Sequence, residues 1–191
     1  MISSFADAET ARIWNGDRSR RLPQDIQRPA LRKLRQLNRI VSPYDRLIPP
    51  GNRFEELKGD REGTYSIRIN AQWRVTFRWE DGAPVMSASK IIIDDSERLP
   101  NIHPGEILRE DFLIGNDISA AEVAAGSGIA PDKLEALLNE RVPIDAESAL
   151  RLARYFGMSE TFFLGLQNDF DLEEARSVYR ADLDHIVPRA A

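Results

Sequence analysis

The sequence contains no cysteine, which excludes disulfides and thiolate metal sites. It holds only two histidines, His103 and His185, so a histidine-based zinc site is not expected, and no motif asks for a cofactor. No apolar run approaches the ~20 residues that a membrane-spanning helix needs. The opening "MISSFADAET" lacks a basic stretch followed by an apolar core, so a signal peptide is not expected and the cytoplasm is the expected location.

What is present points to a folded, soluble chain. Of its 191 residues 42% are hydrophobic and 30% charged, enough for one large domain or two small ones. The net charge of −5 is unevenly spread. Residues 1–85 carry 16 Lys and Arg against 11 Asp and Glu, whereas residues 86–191 carry 10 against 20. Such asymmetry suits nucleic-acid contact on the basic side or attraction between two modules; solvated faces would give it too.

In the basic half, "DAETARIWNG" reads as a short helix with Ala8, Ala11 and Trp14 at helical spacing and Gly16 as its stop. "PQDIQRPALRKLRQLNRI" reads as a second, with Ile26, Leu34 and Leu37 on one face and Pro29 in the first turn or at a kink. Its other face carries Arg32, Lys33, Arg35 and Arg39, which reads as a solvated surface. In "YSIRINAQWRVTFRWEDG", Tyr65, Ile67, Trp73, Val75, Phe77 and Trp79 alternate with polar residues, the pattern of a β-hairpin turning at "NAQ". The polar face gathers Arg68, Arg74 and Arg78, joined by Lys58 and Arg61 from "LKGDREG". Arginine binds phosphate oxygens in a planar fork, so these five form a candidate RNA-binding and catalytic surface; the same spacing also describes the wet face of a half-exposed sheet.

The string "ELKGDREGTYSIRINAQWRVTFRWEDG" resembles the RelE/HigB-type toxins of bacterial toxin–antitoxin systems, over about residues 1–85. The resemblance implies an α+β domain, two helices on a twisted, mainly antiparallel sheet, and metal-free cleavage of mRNA at the ribosome. Such chemistry needs a 2′-hydroxyl deprotonated, a phosphate stabilised and a leaving oxygen protonated. The family usually closes its last strand with Asp-Tyr-His and often has a His before "LKGDREG". Here Glu55 stands at the latter position, and no Asp-Tyr-His follows Gly82. Each lost role costs on the order of 10²–10⁴ in rate, so weak or absent nuclease activity is expected.

In the acidic half, "IHPGEILREDFL" opens a helix at Pro104, with Ile107, Leu108 and Phe112 inward and His103 as cap or packing group. "ISAAEVAAGSGIAPDKLEALLNERVPI" reads as two short helices around a glycine-bearing turn, a helix-turn-helix with Leu134, Leu137 and Leu138 inward. Asp145 caps a further helix that ends at Gly157, and Ser159 is the expected cap of a long last one. This half resembles the HigA-type antitoxins along most of residues 99–177. That resemblance implies an all-α five-helix bundle that dimerises, binds operator DNA and neutralises its toxin. Ser119, Ser127, Lys133, Asn139 and Arg141 are the candidate DNA contacts. The recognition segment also holds Asp132, Glu135 and Glu140, and carboxylates facing phosphates oppose counterion release.

The expected organisation is therefore a fusion: a HigB-like domain over 1–85, a joint over 86–98 whose "KIIIDD" is read as an added strand, and a HigA-like domain over 99–191. Met86 is read as a former start of the second protein. The expected partners are the two halves for one another, a second copy, operator DNA, and the ribosome and mRNA of the ancestral toxin. The alternatives are a helix-turn-helix repressor with a structural appendage, and an active ribonuclease working through Arg and Lys.

Overall fold

In the first half, two helices cover one face of a sheet. The structure, a computed structural model, describes residues 2–40, 50–58, 62–80, 83–86, 99–187 and 189. Strands β1 (Ser4–Phe5), β2 (Glu55–Glu56), β3 (Thr64–Arg68), β4 (Arg74–Glu80) and β5 (Ala83–Met86) form one sheet in the order β1-β5-β4-β3-β2. The β1–β5 pair is parallel and the others are antiparallel. The β3–β4 hairpin turns at 70–72, where the Asn70 side-chain oxygen accepts from the amides of Gln72 and Trp73, both at 2.9 Å. Met86 lies in β5, opposite Phe77 on one side and Phe5 on the other. "KIIIDD" and Arg61 lie outside the described residues.

Helix α1 (Ala8–Trp14) starts where the Asp7 carboxylate accepts from the amides of Glu9 and Thr10. Its buried residues are Glu9 and Ile13, while Ala8 is exposed, so the helix is rotated away from the Ala8–Ala11–Trp14 stripe. Ile13 is the anchor, reaching the groove between Leu34 and Ile69. Helix α2 (Gln24–Arg39) runs through Pro29 in its second turn, which leaves the first-turn alternative aside, and forgoes one backbone bond there. Its Ile26, Ala30, Leu34 and Leu37 are buried, and the first three line one groove with Ile69 and Val75 of the hairpin.

In the second half, His103 caps α3 (Pro104–Ile107), its Nδ1 accepting from the Gly105 amide at 3.0 Å. The chain continues as a π-helical turn (Leu108–Leu113) and a 3₁₀ turn (Ile114–Asn116). Then come α4 (Ala120–Ser127), α5 (Pro131–Leu138), α6 (Ala146–Phe156) and α7 (Phe162–Leu183). Gly128 at φ 70° makes the turn between α4 and α5, and Gly157 at φ 68° stops α6. No side chain caps α7; the Phe162 amide donates to the Ser159 carbonyl, so Ser159 acts through its backbone rather than its hydroxyl.

A continuous apolar core runs from Ile67 and Phe77 of the sheet through Leu31 and Leu37 of α2 to Phe112, Leu152 and Phe163 of the bundle. The order of layers is sheet, α1 and α2, then bundle. Among the described residues no helix is long and apolar enough to cross a membrane.

Candidate functional site

The register of β3 against β4 sorts the hairpin into two faces. Tyr65 and Ile67 oppose Phe77 and Val75 on the side toward α2, whereas Thr64, Ser66 and Arg68 oppose Arg78, Thr76 and Arg74 on the other. Glu55 of β2 adds to this polar face opposite Ser66. Arg74 is largely committed there. Its Nε donates to the Ser66 hydroxyl at 2.9 Å, and one Nη donates to the Arg53 carbonyl at 2.6 Å and lies 3.1 Å from the Glu55 carboxylate. Arg68 donates to the Asn70 carbonyl at 2.9 Å. Arg78 and Lys58 are exposed, Arg78 reaching the Thr64 hydroxyl at 3.4 Å. The structure thus brings Arg68, Arg74 and Arg78 onto one surface. It also pairs the central arginine with a carboxylate at the position where the toxin resemblance implies a histidine.

The helix-turn-helix presents a second candidate surface. Ser119 is exposed and caps α4, its hydroxyl accepting from the Glu122 amide at 3.2 Å. Ser127 is buried and its hydroxyl accepts from the Ile129 amide, so it stands inside the turn rather than on the helix face. Lys133 lies 2.8 Å from Asp145 and 3.9 Å from Glu147. Arg141 lies 3.1 Å from Glu135, to which Asn139 also donates at 3.5 Å. The Lys133 hydrogen bond, helped by the Ser148 amide, holds the Asp145 carboxyl at about 2. The two cations of the recognition segment are therefore each matched by a carboxylate of the same bundle.

The third surface is the face of α2 that the sequence presents as solvated, and the structure corrects that reading. Arg28 makes a forked pair with Glu106 at 2.6 and 2.9 Å. Arg32 bridges Glu106 at 3.0 Å and Asp111 at 3.2 Å. Lys33, buried, lies 2.6 Å from Asp111 and also donates to Asn52; Gln36 donates to Asp111 at 2.6 Å and accepts from Asn52 at 3.0 Å. Burial pulls the Lys33 ammonium below the usual lysine range, against the attraction of Asp111. One turn on, Arg39 pairs with Asp169 of α7, donating from Nε at 2.8 Å, and lies across Gly165, where a Cβ would stand 2.9 Å from its Cδ. Two backbones also meet here: a Cβ on Gly51 would fall 2.3 Å from the Gly115 carbonyl oxygen.

The π-helical turn explains how Glu106 and Asp111 reach one helix together. In an α-helix, residues five apart point about 140° away from each other. An i→i+5 ladder stacks them on one face. That device is invisible to a 3.6-residue pattern. The usable signals were the repeat of cations at 28, 32, 35 and 39 and the charge asymmetry of the two halves.

Comparison with known proteins finds relatives for both halves of the chain. Residues 3–88 match the family described as the RelE-like toxin of the type II toxin–antitoxin system HigB. Toxin HigB-1 of Vibrio cholerae is 41% identical over 83 residues, 43% of this chain and 87% of that protein. The Pseudomonas aeruginosa antitoxin HigA, solved with the higBA promoter, is 34% identical, with 48% of this chain and 99% of that one covered and a TM-score of 0.44. An addiction module antidote protein of the HigA family from Coxiella burnetii is 34% identical over 47% of this chain and 98% of its own, with a TM-score of 0.44. The chain thus belongs to the HigB family of RelE-like toxins, and its remaining part is similar in sequence to antitoxins of the HigA family.

Proposed function

We propose that the chain is a fused toxin–antitoxin protein acting as a self-contained, non-toxic regulator: the toxin-like part is held permanently on the antitoxin-like part, and the antitoxin-like part binds operator DNA. The observation that carries the reading is the ionic junction on α2, where Glu106 and Asp111 are buried against Arg28, Arg32 and Lys33. A buried carboxylate without its cation is costly, so the two parts stay together. Fusion adds an effective concentration on the order of mM.

In this reading the loss of nuclease activity has its origin in the toxin-like part itself. The absence of an Asp-Tyr-His after Gly82 supports it, as does Glu55 beside Arg74. No described residue of the second half pairs with Arg68, Arg74 or Arg78. We take the domain limits as 1–85, 86–98 and 99–191, with β5 running to Met86 at the edge of the joint. Leu172, Tyr179, Leu183 and Ile186 of α7 and its extension are exposed along one stripe, and a second copy is the partner we assign to them. The cytoplasm is the proposed location.

The test is twofold. The full chain should shift DNA from upstream of its own coding sequence, with a steep salt dependence. It should also leave growth and ribosome-bound mRNA intact when overexpressed. The absence of a specific shift at micromolar protein would overturn the regulatory reading. The gathering of Arg68, Arg74 and Arg78 on one face favours one competing reading, an active ribonuclease. Growth arrest with mRNA cleavage, abolished by Arg68→Ala and Arg74→Ala, would establish it.

A further inference from the structure

We infer that Arg109 is a positioning residue through which the toxin-like half braces the recognition helix α5. The inference rests on the operator-binding reading for its consequence, and on geometry alone for the brace. The segment from Gly105 to Asp111 has two sides. On one, Glu106 and Asp111 hold the cations of α2. On the other, Arg109 closes the end of α5: its Nη1 donates to the Leu138 carbonyl at 2.5 Å, and both Nη atoms lie 3.2 Å from the Glu140 carboxylate. The last carbonyls of a helix have no partner within it, so this bond fills a vacancy that would otherwise need water.

Two further details make the link stiff. Gly105 is pressed on the same helix end, where a Cβ would fall 2.0 Å from the Leu137 carbonyl oxygen. Glu140 occupies the left-handed region at φ 61°, which glycine or asparagine would occupy more readily. The Arg109 pair holds it there. Any shift of the π-helical turn against α2 is thus passed to Leu138 and Glu140, and with them to Asn139 and Arg141. In a fused chain this brace cannot dissociate, so the recognition helix always meets DNA with its C-terminal end fixed by the toxin-like half.

The test is a double-substitution cycle read by hydrogen exchange at the amides of Asn139, Glu140 and Arg141 in the full chain. Those amides donate to Glu135, Leu137 and Ala136. Arg28→Gln loosens the junction at its half-exposed rim, and Arg109→Met cuts the brace. Each alone should speed exchange roughly five- to tenfold, and the double variant no more than Arg109→Met alone. Arg32→Gln repeats the junction arm from a deeper position. Should Arg109→Met unfold the chain, Arg109→Lys, which keeps the charge and one donor, should give an intermediate rate. Unchanged exchange in both junction variants, or effects that simply multiply, would overturn the brace. Anisotropy titration of the upstream DNA is run in parallel. The singles should weaken binding by a similar factor. If the unsubstituted chain binds no DNA while the exchange cycle holds, the operator reading fails and the brace stands. If it binds DNA and the exchange cycle fails, the brace alone is lost.

Discussion

The toxin-like half carries two cationic faces built from the same residue types, with opposite fates. On α2, Arg28, Arg32, Lys33 and Arg39 meet carboxylates of the bundle, and Glu106 and Asp111 are 3% and 4% exposed. On the hairpin, Arg68, Arg74 and Arg78 meet carbonyls, hydroxyls and one exposed carboxylate of their own sheet. Depth separates them. An ion pair taken out of water is costly to break on one side, while a pair at the surface contributes about 0–1 kcal/mol. The α2 face therefore holds the molecule together, and the exposed rim of the hairpin face at Arg78 contributes little to the fold.

Substitutions should break or sharpen this contrast in a definite order. Glu106→Leu, which strands Arg28 and Arg32, should cost about 3–5 kcal/mol in urea unfolding. Asp169→Ala removes the charge-assisted bonds to Arg39 at a half-exposed rim and should cost about 1–3 kcal/mol by the same measurement. His103 gives a milder, pH-dependent effect. Burial lowers its pKa below 6.5, against the pull of Glu140, Asp171 and Glu106, and its Nδ1 must stay unprotonated to cap α3. The unfolded chain then binds the proton more readily than the folded one. The contribution is complete above pH 6.5 and declines as pH falls through the lowered folded value. A plot of unfolding free energy against pH should show that decline, and His103→Asn, which keeps a capping oxygen, should flatten it. Smallest of all, Arg78→Ala on the hairpin should change stability by no more than about 0.5 kcal/mol. A loss of several kcal/mol there would erase the distinction between the two faces.

Much of the fold is legible in the sequence because its signals are local. The alternation from Tyr65 to Trp79 gives the hairpin and its register, and Asn70 marks the turn. Asp145, Gly157, His103 and Pro104 mark helix ends by chemistry that acts within three residues. What escapes is tertiary. A basic helix face looks the same whether water or carboxylates cover it, and the covering residues lie about 75 positions away. The π-helical turn breaks the period that would have placed Glu106 beside Asp111. Ser127 illustrates the same limit within the helix-turn-helix: its type suits a DNA contact, but its place in the tight turn before Gly128 buries it. Of the candidate site residues, Arg68, Arg74 and Arg78 come together as the alternation implies. Lys133 and Arg141 instead reveal partners that spacing alone does not announce.

The basic face of α2 is the buried junction between the toxin-like and antitoxin-like halves. A double-mutant cycle on Lys33 and Asp111, with Lys33→Met and Asp111→Leu followed by urea unfolding of the full chain, tests it most directly. The junction predicts that each single substitution costs about 3–5 kcal/mol and that the pair costs about 2–3 kcal/mol less than the sum. Single costs below about 1 kcal/mol that add without coupling are what a solvated face would give, and would contradict it.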